Sequence, residues 1–114
     1  MNVNIEFFDE EPLENLVACL NYKMDKVVYF GYKKTMTEDK IQTTRESLQR
    51  ICGIEDAEFY EVSEKDLYKI VSAIEKIIIR ELKNKNQCFF DKTVIYSICY
   101  AWGVYNTHNN YVKI

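Results

Sequence analysis

Three polar segments of the sequence combine residue types that suit the binding of a phosphate-bearing ligand. They are Asp9-Glu10-Glu11-Pro12, Lys33-Lys34-Thr35 and Asp91-Lys92-Thr93. Lysine ammonium groups and threonine hydroxyls can donate hydrogen bonds to phosphate oxygens, whereas acidic side chains can accept hydrogen bonds from ribose hydroxyls. Each segment also has a purely structural interpretation, because acids and threonines favour helix N-termini and paired lysines often form solvated loops.

Catalytic patterns are weak in this sequence. It contains no glycine-rich phosphate loop and no nucleophile elbow, and its one histidine, His108, lies in a polar stretch near the C-terminus. The spacing Glu81-Leu82-Lys83 occurs in nucleases, but we assign it to the solvated face of a helix, opposite the apolar stripe. We therefore predict no catalytic residue and no cofactor.

The cysteines indicate an environment that keeps thiols reduced. None belongs to a C-x-x-C pair, and all four lie in apolar stretches: Cys19, Cys52, Cys88 and Cys99. Such cysteines are usually buried, reduced thiols, whereas a zinc site needs closer spacing and a histidine partner. The sequence also shows neither a signal peptide nor an apolar run of the about 20 residues that span a bilayer. We therefore expect a cytoplasmic protein with no metal site and no membrane contact.

Charge and composition narrow the class of partner. The chain has 114 residues, a formal net charge of -3, 47% apolar and 29% charged residues. This balance predicts one folded domain over residues 1–114. Proteins that grip duplex nucleic acid through its backbone are usually basic, so the net charge disfavours duplex DNA or RNA as a partner.

Strand-like and helical segments alternate along the chain and predict how the polar segments are positioned. Runs of β-forming residues predict strands over 2–8, 26–32, 57–62 and 87–90, with helices over 13–20, 37–52, 67–82 and 94–102. This alternation predicts an α/β fold, a Rossmann-like three-layer sandwich around a mainly parallel sheet of four to five strands in the order 3-2-1-4. Such sheets bind ligands beyond the carboxyl ends of their strands, where strand order reverses, which here is between strands one and four.

The predicted helices also carry recognisable faces and ends. The apolar faces of the first two helices are predicted to consist of Leu13, Leu16, Val17 and Leu20, and of Ile41, Leu48 and Ile51. Capping-box patterns predict helix starts at Thr35 and Ser63, and Gly53 is a natural C-terminal cap for the second helix.

Several segments resemble CARF domains (CRISPR-associated Rossmann fold), in particular the branch in which this domain precedes a restriction-type nuclease domain. The most distinctive motif is P-L-x-N-L at residues 12–16, which directly follows Val3-Asn4-Ile5-Glu6-Phe7-Phe8-Asp9-Glu10-Glu11. Residues 25–33, 36–37, 60–62 and 89–93 also resemble that branch. The family usually has Asp-x-Thr-Gly-Gly after the fourth strand, whereas this chain has Asp91-Lys92-Thr93-Val94-Ile95, which keeps the Asp and Thr and replaces the glycines.

The resemblance implies a homodimer that binds cyclic oligoadenylates, the second messengers of type III CRISPR antiviral defence, across its twofold axis. It implies ligand contacts from Asp9, Glu10, Asn15, Lys33, Lys34, Thr35, Asp91, Lys92 and Thr93. Two alternatives stay open. One is a ring nuclease that orients a 2′-hydroxyl of the messenger for attack. The other is a degenerate domain that only dimerises, because β-branched residues in place of the glycines would narrow the pocket.

Overall fold

A parallel four-stranded sheet forms the centre of the computed structural model, which describes residues 1–90. The strands are β1 (Asn2–Phe7), β2 (Lys26–Gly31), β3 (Asp56–Glu61) and β4 (Gln87–Phe90). All neighbouring strands are parallel, and their order is β3-β2-β1-β4. The predicted α/β fold and strand order 3-2-1-4 are therefore confirmed. The predicted helix over 94–102 and the polar segment 91–93 lie outside the described residues.

Helices connect the strands. A 3₁₀ turn (Glu14–Leu16) leads into the short helix α1 (Val17–Asn21), and α2 (Glu38–Ser47) continues into a π-helical turn (Leu48–Cys52). The helix α3 (Leu67–Lys83) is the longest and is close to its predicted extent. None of the helices within residues 1–90 is long and apolar enough to cross a membrane.

Two hydrophobic cores, one on each face of the sheet, make the molecule a three-layer sandwich. The core beneath α3 consists of Val3, Ile5, Val28, Phe30, Val62, Ile70, Ile74 and Ile77. The core on the opposite face, shared with the first two helices and their turns, consists of Phe8, Leu16, Met24, Val27, Tyr29, Met36, Leu48, Ile54 and Ala57. Every residue of β2 is buried, because successive side chains enter the two cores alternately.

The first helix differs from its predicted packing. The prediction that one face packs on the sheet is wrong for Leu13, Val17 and Leu20, which are 66%, 40% and 50% exposed. Only Leu16 of that face is buried. The physical reason is that no regular α-helix extends over these positions: a 3₁₀ turn of three residues leads into an α-helix of five residues, and the two have different numbers of residues per turn, so the 3.6-residue spacing does not keep these side chains on one face. The rest of the apolar face is left on the surface.

The π-helical turn explains why the second helix also differs from its predicted packing. Leu48 is fully buried as predicted, but the prediction for Ile51 is wrong, because this side chain is 54% exposed. A π-helix has more residues per turn than an α-helix, so positions after Leu48 rotate away from the face that an α-helical pattern predicts. Gly53 ends the turn with a φ of 69°, in the left-handed region that favours glycine, and its N–H donates to the Gln49 carbonyl at 3.2 Å. Its predicted role as a cap is confirmed.

The second and third helices begin within one residue of their predicted starts, but their N-caps lie two or three residues later than the capping-box patterns indicate. The Thr37 hydroxyl accepts a hydrogen bond from the Lys40 N–H, and the Asp66 carboxylate accepts one from the Lys69 N–H at 3.1 Å. The predicted caps Thr35 and Ser63 are therefore wrong. Each of them belongs to a turn through which the chain first leaves its strand, and the Ser63 hydroxyl accepts a local bond from Lys65 instead.

Candidate functional site

The loops that follow β1, β2 and β3 lie side by side, because parallel strands end at one edge of their sheet. We call these loops, residues 8–13, 32–37 and 62–66, the strand-exit edge. Backbone hydrogen bonds attach the first residues of the first and third loops to β2. The Phe8 N–H donates to the Phe30 carbonyl at 2.8 Å, and the Val62 N–H donates to the Gly31 carbonyl at 2.9 Å. The site is therefore anchored directly on the ends of the buried strands.

Asn15 fixes the shape of the first loop. Its Oδ1 accepts from the Asp9 N–H at 2.7 Å, and its Nδ2 donates to the Asp9 carbonyl at 2.9 Å. The Asp9 carboxylate accepts from the Glu11 N–H at 2.8 Å, which tightens the same turn. Asn15 is almost fully buried, and its own carbonyl accepts from the Tyr29 hydroxyl. The P-L-x-N-L motif thus has a local structural role: its Asn positions the acidic loop.

Gly31 allows the second loop to close against the first. A Cβ atom at this position would lie 2.9 Å from the Met36 sulfur and 3.1 Å from the Phe8 Cβ. Both distances are shorter than ordinary van der Waals contact, so a side chain here would require Met36 and Phe8 to shift. The close approach of the loops therefore requires glycine at the end of β2.

The second loop presents its lysines to solvent. The N–H groups of Thr35 and Met36 both donate to the Tyr32 carbonyl, at 2.9 and 2.8 Å, and so form a compact turn. Lys33 and Lys34 lie exposed on this turn, with the Lys34 ammonium 3.5 Å from a Glu64 carboxylate oxygen in the third loop. This exposed ion pair is worth little in stability, and it leaves both lysines accessible to a ligand.

A cavity of about 680 Å³ lies between the second and third loops. Its lining consists of Tyr32, Lys33, Lys34, Glu61, Val62, Ser63, Glu64 and Lys65. Three ammonium groups, a hydroxyl and a phenol ring surround it, together with two carboxylates. This donor set can bind phosphate oxygens, and the carboxylates can accept hydrogen bonds from hydroxyl or amino groups of the same ligand.

The predicted site residues are only partly brought together. Lys33 and Lys34 line the cavity, whereas Asp9 and Glu10 lie on the first loop outside it, and Thr35 belongs to the turn behind the lysines. Asp91, Lys92 and Thr93 lie outside the described residues, so a site between strands one and four stays a prediction. Sequence reasoning missed the end of β3 and the third loop, whose residues 61–65 line the cavity. A signal for this loop is present in the sequence, because Ser63-Glu64-Lys65 directly follows a predicted strand and so lies at the same edge. The same residues also fit a helix cap, which is how the sequence analysis interprets them.

A buried network of charges lies away from this edge, where β2 begins and α3 ends. The Lys26 ammonium contacts the carboxylates of both Glu58 and Glu81, the latter at 2.8 Å. The Arg80 guanidinium bridges the same two acids, at 2.9 Å to Glu58 and 2.7 Å to Glu81. Asn86 completes the network by donating to the second Glu81 oxygen at 2.7 Å. Four charges from β2, β3 and α3 therefore balance one another.

This network corrects the assignment of Glu81-Leu82-Lys83. Glu81 was predicted on the solvated face of its helix, but it is 1% exposed and continues the buried stripe of Ile70, Ile74 and Ile77. Leu82, the next residue, is 57% exposed. The helix therefore buries an acid where the pattern suggests a leucine, because Lys26 and Arg80 supply compensating charge there.

Proton affinities in the network follow from this geometry. Burial raises the pKa of Glu81, but hydrogen bonds from Lys26, Asn86 and Arg80 outweigh burial and lower that pKa to about 2. The pKa of Glu58 is lowered from its ordinary value by the same balance, in which hydrogen bonds from Lys26, Tyr60 and Arg80 exceed the effect of burial. Both acids are therefore ionised at neutral pH, and the network is structural.

Metal-ligating residues do not cluster in the part of the chain that the structure describes. Residues 1–90 contain no group of three or more His, Cys, Asp or Glu side chains that could hold a metal ion. Cys19, Cys52 and Cys88 carry free thiols, as predicted, and they are half-buried where buried thiols were expected. Burial raises the pKa of all three thiols, that of Cys19 to about 12, so they are poor nucleophiles at neutral pH. Cys99 and His108 lie outside the described residues.

Comparison with known proteins identifies no family for this chain. No protein-family model matches the chain, and no curated protein matches it.

Proposed function

We propose that this domain is a CARF-like sensor that binds a cyclic oligoadenylate at its strand-exit edge. The observation that carries the proposal is the cavity of about 680 Å³ between two strand-exit loops, bordered by Lys33, Lys34 and Lys65. Three exposed ammonium groups on a domain of net charge -3 place positive charge at the carboxyl-terminal edge of the sheet, the edge at which α/β sheets bind ligands, beside the exits of β2 and β3 rather than at the reversal of strand order between β1 and β4. The motif P-L-x-N-L, which resembles CARF domains, supplies the chemical class of the ligand.

The other cavity residues suit the remaining parts of such a ligand. The Ser63 hydroxyl can donate to a phosphate oxygen, and the Glu61 and Glu64 carboxylates can accept from a ribose hydroxyl or from an adenine amino group. Tyr32 presents an aromatic ring on which an adenine base can stack. The lysines neutralise the phosphates, whereas the acids and the ring discriminate a nucleotide from a simple anion.

A homodimer fits this ligand better than a single domain does. A cyclic oligonucleotide of even length can adopt twofold symmetry, and a twofold dimer presents two copies of the same surface to it. Two copies of the cavity would offer six lysines to the phosphates of one ring. The exposed apolar side chains Leu13, Val17 and Leu20 provide a surface that can contribute to subunit contact.

Calorimetric titration of the full chain with cyclic tetra-adenylate and cyclic hexa-adenylate tests the proposal. We expect saturable binding that weakens as salt rises. The double variant Lys33→Ala/Lys34→Ala should weaken binding by about tenfold or more, since each charge-assisted contact contributes about 1.5 kcal/mol or more. Lys76→Ala, an exposed lysine on α3, is the matched control and should bind like the wild type. Absence of heat with both rings at high micromolar concentration would refute the proposal.

Two further measurements separate the alternatives. Incubation with labelled messenger tests the ring-nuclease alternative, and an intact ring after long incubation excludes it. Sedimentation tests dimerisation, and a monomer at all concentrations counts against both the homodimer and the interaction-domain alternative. The exposed apolar face favours the interaction domain if the protein dimerises and no ring binds. In that case Leu13→Asp/Leu20→Asp should convert the dimer to a monomer.

A further inference from the structure

An ion pair joins the second and third loops of the strand-exit edge across the cavity between them. The Lys34 ammonium of the second loop lies 3.5 Å from a carboxylate oxygen of Glu64 in the third loop, and both residues line the cavity. Their side chains are 74% and 46% exposed, so a ligand can reach each of them. Among residues 1–90, this is the only salt bridge that either side chain makes.

Hydrogen bonds fix the backbone on both sides of the pair. In the second loop, the N–H groups of Thr35 and Met36 donate to the Tyr32 carbonyl and close the turn that carries the lysine. In the third loop, the Asp66 N–H donates to the Ser63 carbonyl at 3.3 Å and closes the turn that carries the acid. The two charged groups can therefore exchange partners by rotation of their side chains alone.

A phosphate group that enters the cavity competes with Glu64 for Lys34. An exposed ion pair is worth little, so its replacement by a charge-assisted hydrogen bond from the lysine to a phosphate oxygen is readily reached. The exchange leaves the Glu64 carboxylate without its cation and beside a second anion, and like charges repel each other. A phosphate with no hydrogen-bond donor beside it therefore binds against an unfavourable contact.

A ribonucleotide replaces that unfavourable contact by a favourable one. Its 2′-hydroxyl is attached to the carbon next to the one that carries the 3′-phosphate, so the two groups are as close together as the two members of the ion pair. The carboxylate can accept a hydrogen bond from the hydroxyl while the ammonium donates to the phosphate. A deoxyribonucleotide brings the phosphate without the donor, and the 2′-hydroxyl is the group by which proteins distinguish RNA from DNA.

We propose that the Lys34–Glu64 pair makes this cavity selective for ribonucleotides over deoxyribonucleotides. Lys34 binds the 3′-phosphate, and Glu64 accepts a hydrogen bond from the 2′-hydroxyl in place of the one from Lys34. The inference rests on the proposed function for the presence of a nucleotide in the cavity, and it adds the sugar to the groups that the cavity recognises. Glu64 determines specificity because it disfavours an anion that lacks a neighbouring donor.

Adenosine 3′-monophosphate and its 2′-deoxy form are matched probes that differ only in the 2′-hydroxyl. NMR titration of the full chain labelled with ¹⁵N gives the dissociation constant and the position of each probe. We expect saturable shifts at the amides of Lys34, Ser63 and Glu64, which all line the cavity. The ribonucleotide should bind about tenfold more tightly than the deoxyribonucleotide, since a hydrogen bond to a charged group contributes about a factor of ten or more.

Glu64→Ala should bring the ratio of the two affinities close to one. The deoxyribonucleotide should bind this variant more tightly than it binds the wild type, an effect that general damage to the site does not produce. Glu61→Ala removes an equal charge from the same cavity but keeps the ion pair, so it should strengthen both probes alike. Glu75→Gln, on the exposed face of α3, should change neither affinity, and circular dichroism checks that each variant is folded.

Equal affinities of the wild type for the two probes would overturn the proposal, as would an unchanged ratio in Glu64→Ala or the absence of saturable binding by either probe. Titration with cyclic tetra-adenylate and cyclic hexa-adenylate reports separately on the proposed function. Discrimination between the mononucleotides without binding of either ring refutes the cyclic ligand and supports the role of the pair. Binding of a ring without discrimination between the mononucleotides supports the sensor and refutes the role of the pair.

Discussion

The Nζ atom of Lys26 lies 2.8 Å from Oε1 of Glu81, and the same ammonium group contacts Glu58. One lysine at the start of β2 therefore joins an acid of β3 to an acid in the last turn of α3. The Lys26 side chain is 11% exposed and that of Glu81 is 1% exposed, so water screens this contact very little. Loss of one partner would leave a charge buried without compensation.

Glu81→Gln should lower the free energy of unfolding by about 3 kcal/mol, because it leaves Lys26 and Arg80 with one acid between them. Urea unfolding followed by far-UV circular dichroism measures this loss. The control Glu75→Gln removes an exposed acid from the same helix and should change stability by less than about 0.5 kcal/mol. The double variant Lys26→Met/Glu81→Leu should be more stable than Glu81→Gln. A Glu81→Gln protein as stable as the control would contradict the structural role of the network.

Acid should destabilise the protein through the same network. The pKa of Glu81 is about 2 in the folded chain against an ordinary value of 4.5, and that of Glu58 is also lowered. A lowered folded-state pKa contributes stability that is fully present above about pH 4.5 and is lost as the pH falls towards 2. Urea midpoints measured between pH 5 and about pH 2 should therefore decrease steadily. In Glu81→Gln the decrease should be shallower, and an equal slope in both proteins would show that other groups control acid unfolding.

Gly31→Ala should destabilise the protein by about 1–3 kcal/mol, the usual cost of overpacking a filled site. Its new Cβ would lie 2.9 Å from the Met36 sulfur. Met36→Ala removes the sulfur but keeps the Met36 Cβ, which lies 3.0 Å from the new Cβ. Adding Gly31→Ala to Met36→Ala should therefore cost less stability than Gly31→Ala costs in the wild type. Gly53→Ala serves as a comparison, since nothing lies within 4 Å of its Cβ position and its cost comes only from a φ of 69°. Thermal unfolding of the four proteins gives the ranking, and a neutral Gly31→Ala would argue against close contact of the two loops.

Asn15→Ala should loosen the first strand-exit loop. It removes both side-chain hydrogen bonds to the backbone of Asp9 and should cost about 1–3 kcal/mol, because buried backbone groups lose their partners. Hydrogen exchange should accelerate at the amides of Asp9 and Glu11. Asn21→Ala removes an exposed asparagine whose side chain makes one backbone contact, and it should leave that exchange unchanged. Equal exchange in wild type and Asn15→Ala would show that the loop is held by other contacts.

Thr44→Val should be neutral or stabilise the protein by up to about 1 kcal/mol. Thr44 in α2 is 1% exposed, and its hydroxyl oxygen has no hydrogen-bond partner among residues 1–90. Valine has the same shape without a polar group to desolvate. The neighbouring exposed Thr43→Val tests the effect of the substitution on the helix itself. A loss of more than about 1 kcal/mol for Thr44→Val, relative to Thr43→Val, would mean that the hydroxyl has a partner in solution.

The sheet could be predicted from the sequence because its determinants are local. The buried run of β2 and the alternation of strands with helices require only periodicity and the handedness of crossovers, and both hold here. Gly53 was predictable for the same reason, since a helix end beside a glycine is a local pattern.

The differences have causes that local apolar periodicity does not show. Glu81 is buried because Lys26, 55 residues away in sequence, meets it in space, and hydropathy alone places an acid in solvent. Ile51 is exposed because of one π-helical turn, which no apolar periodicity signals. The cavity at the strand-exit edge is lined in part by the third loop. The residues Ser63-Glu64-Lys65 of that loop fit helix capping and ligand binding equally well. Local sequence cannot decide between these two uses.

The tight approach at Gly31 gives the strand-exit edge a mechanical property. Met36 and the Phe8 Cβ face the same point with no space between them for a methyl group, and the Phe8 N–H is bonded to the end of β2. A displacement of the lysine-bearing turn towards the sheet would therefore disturb the packing of Phe8, which directly precedes the acidic turn. A ligand that moved Lys33 and Lys34 would alter the surroundings of Asp9 through this shared packing.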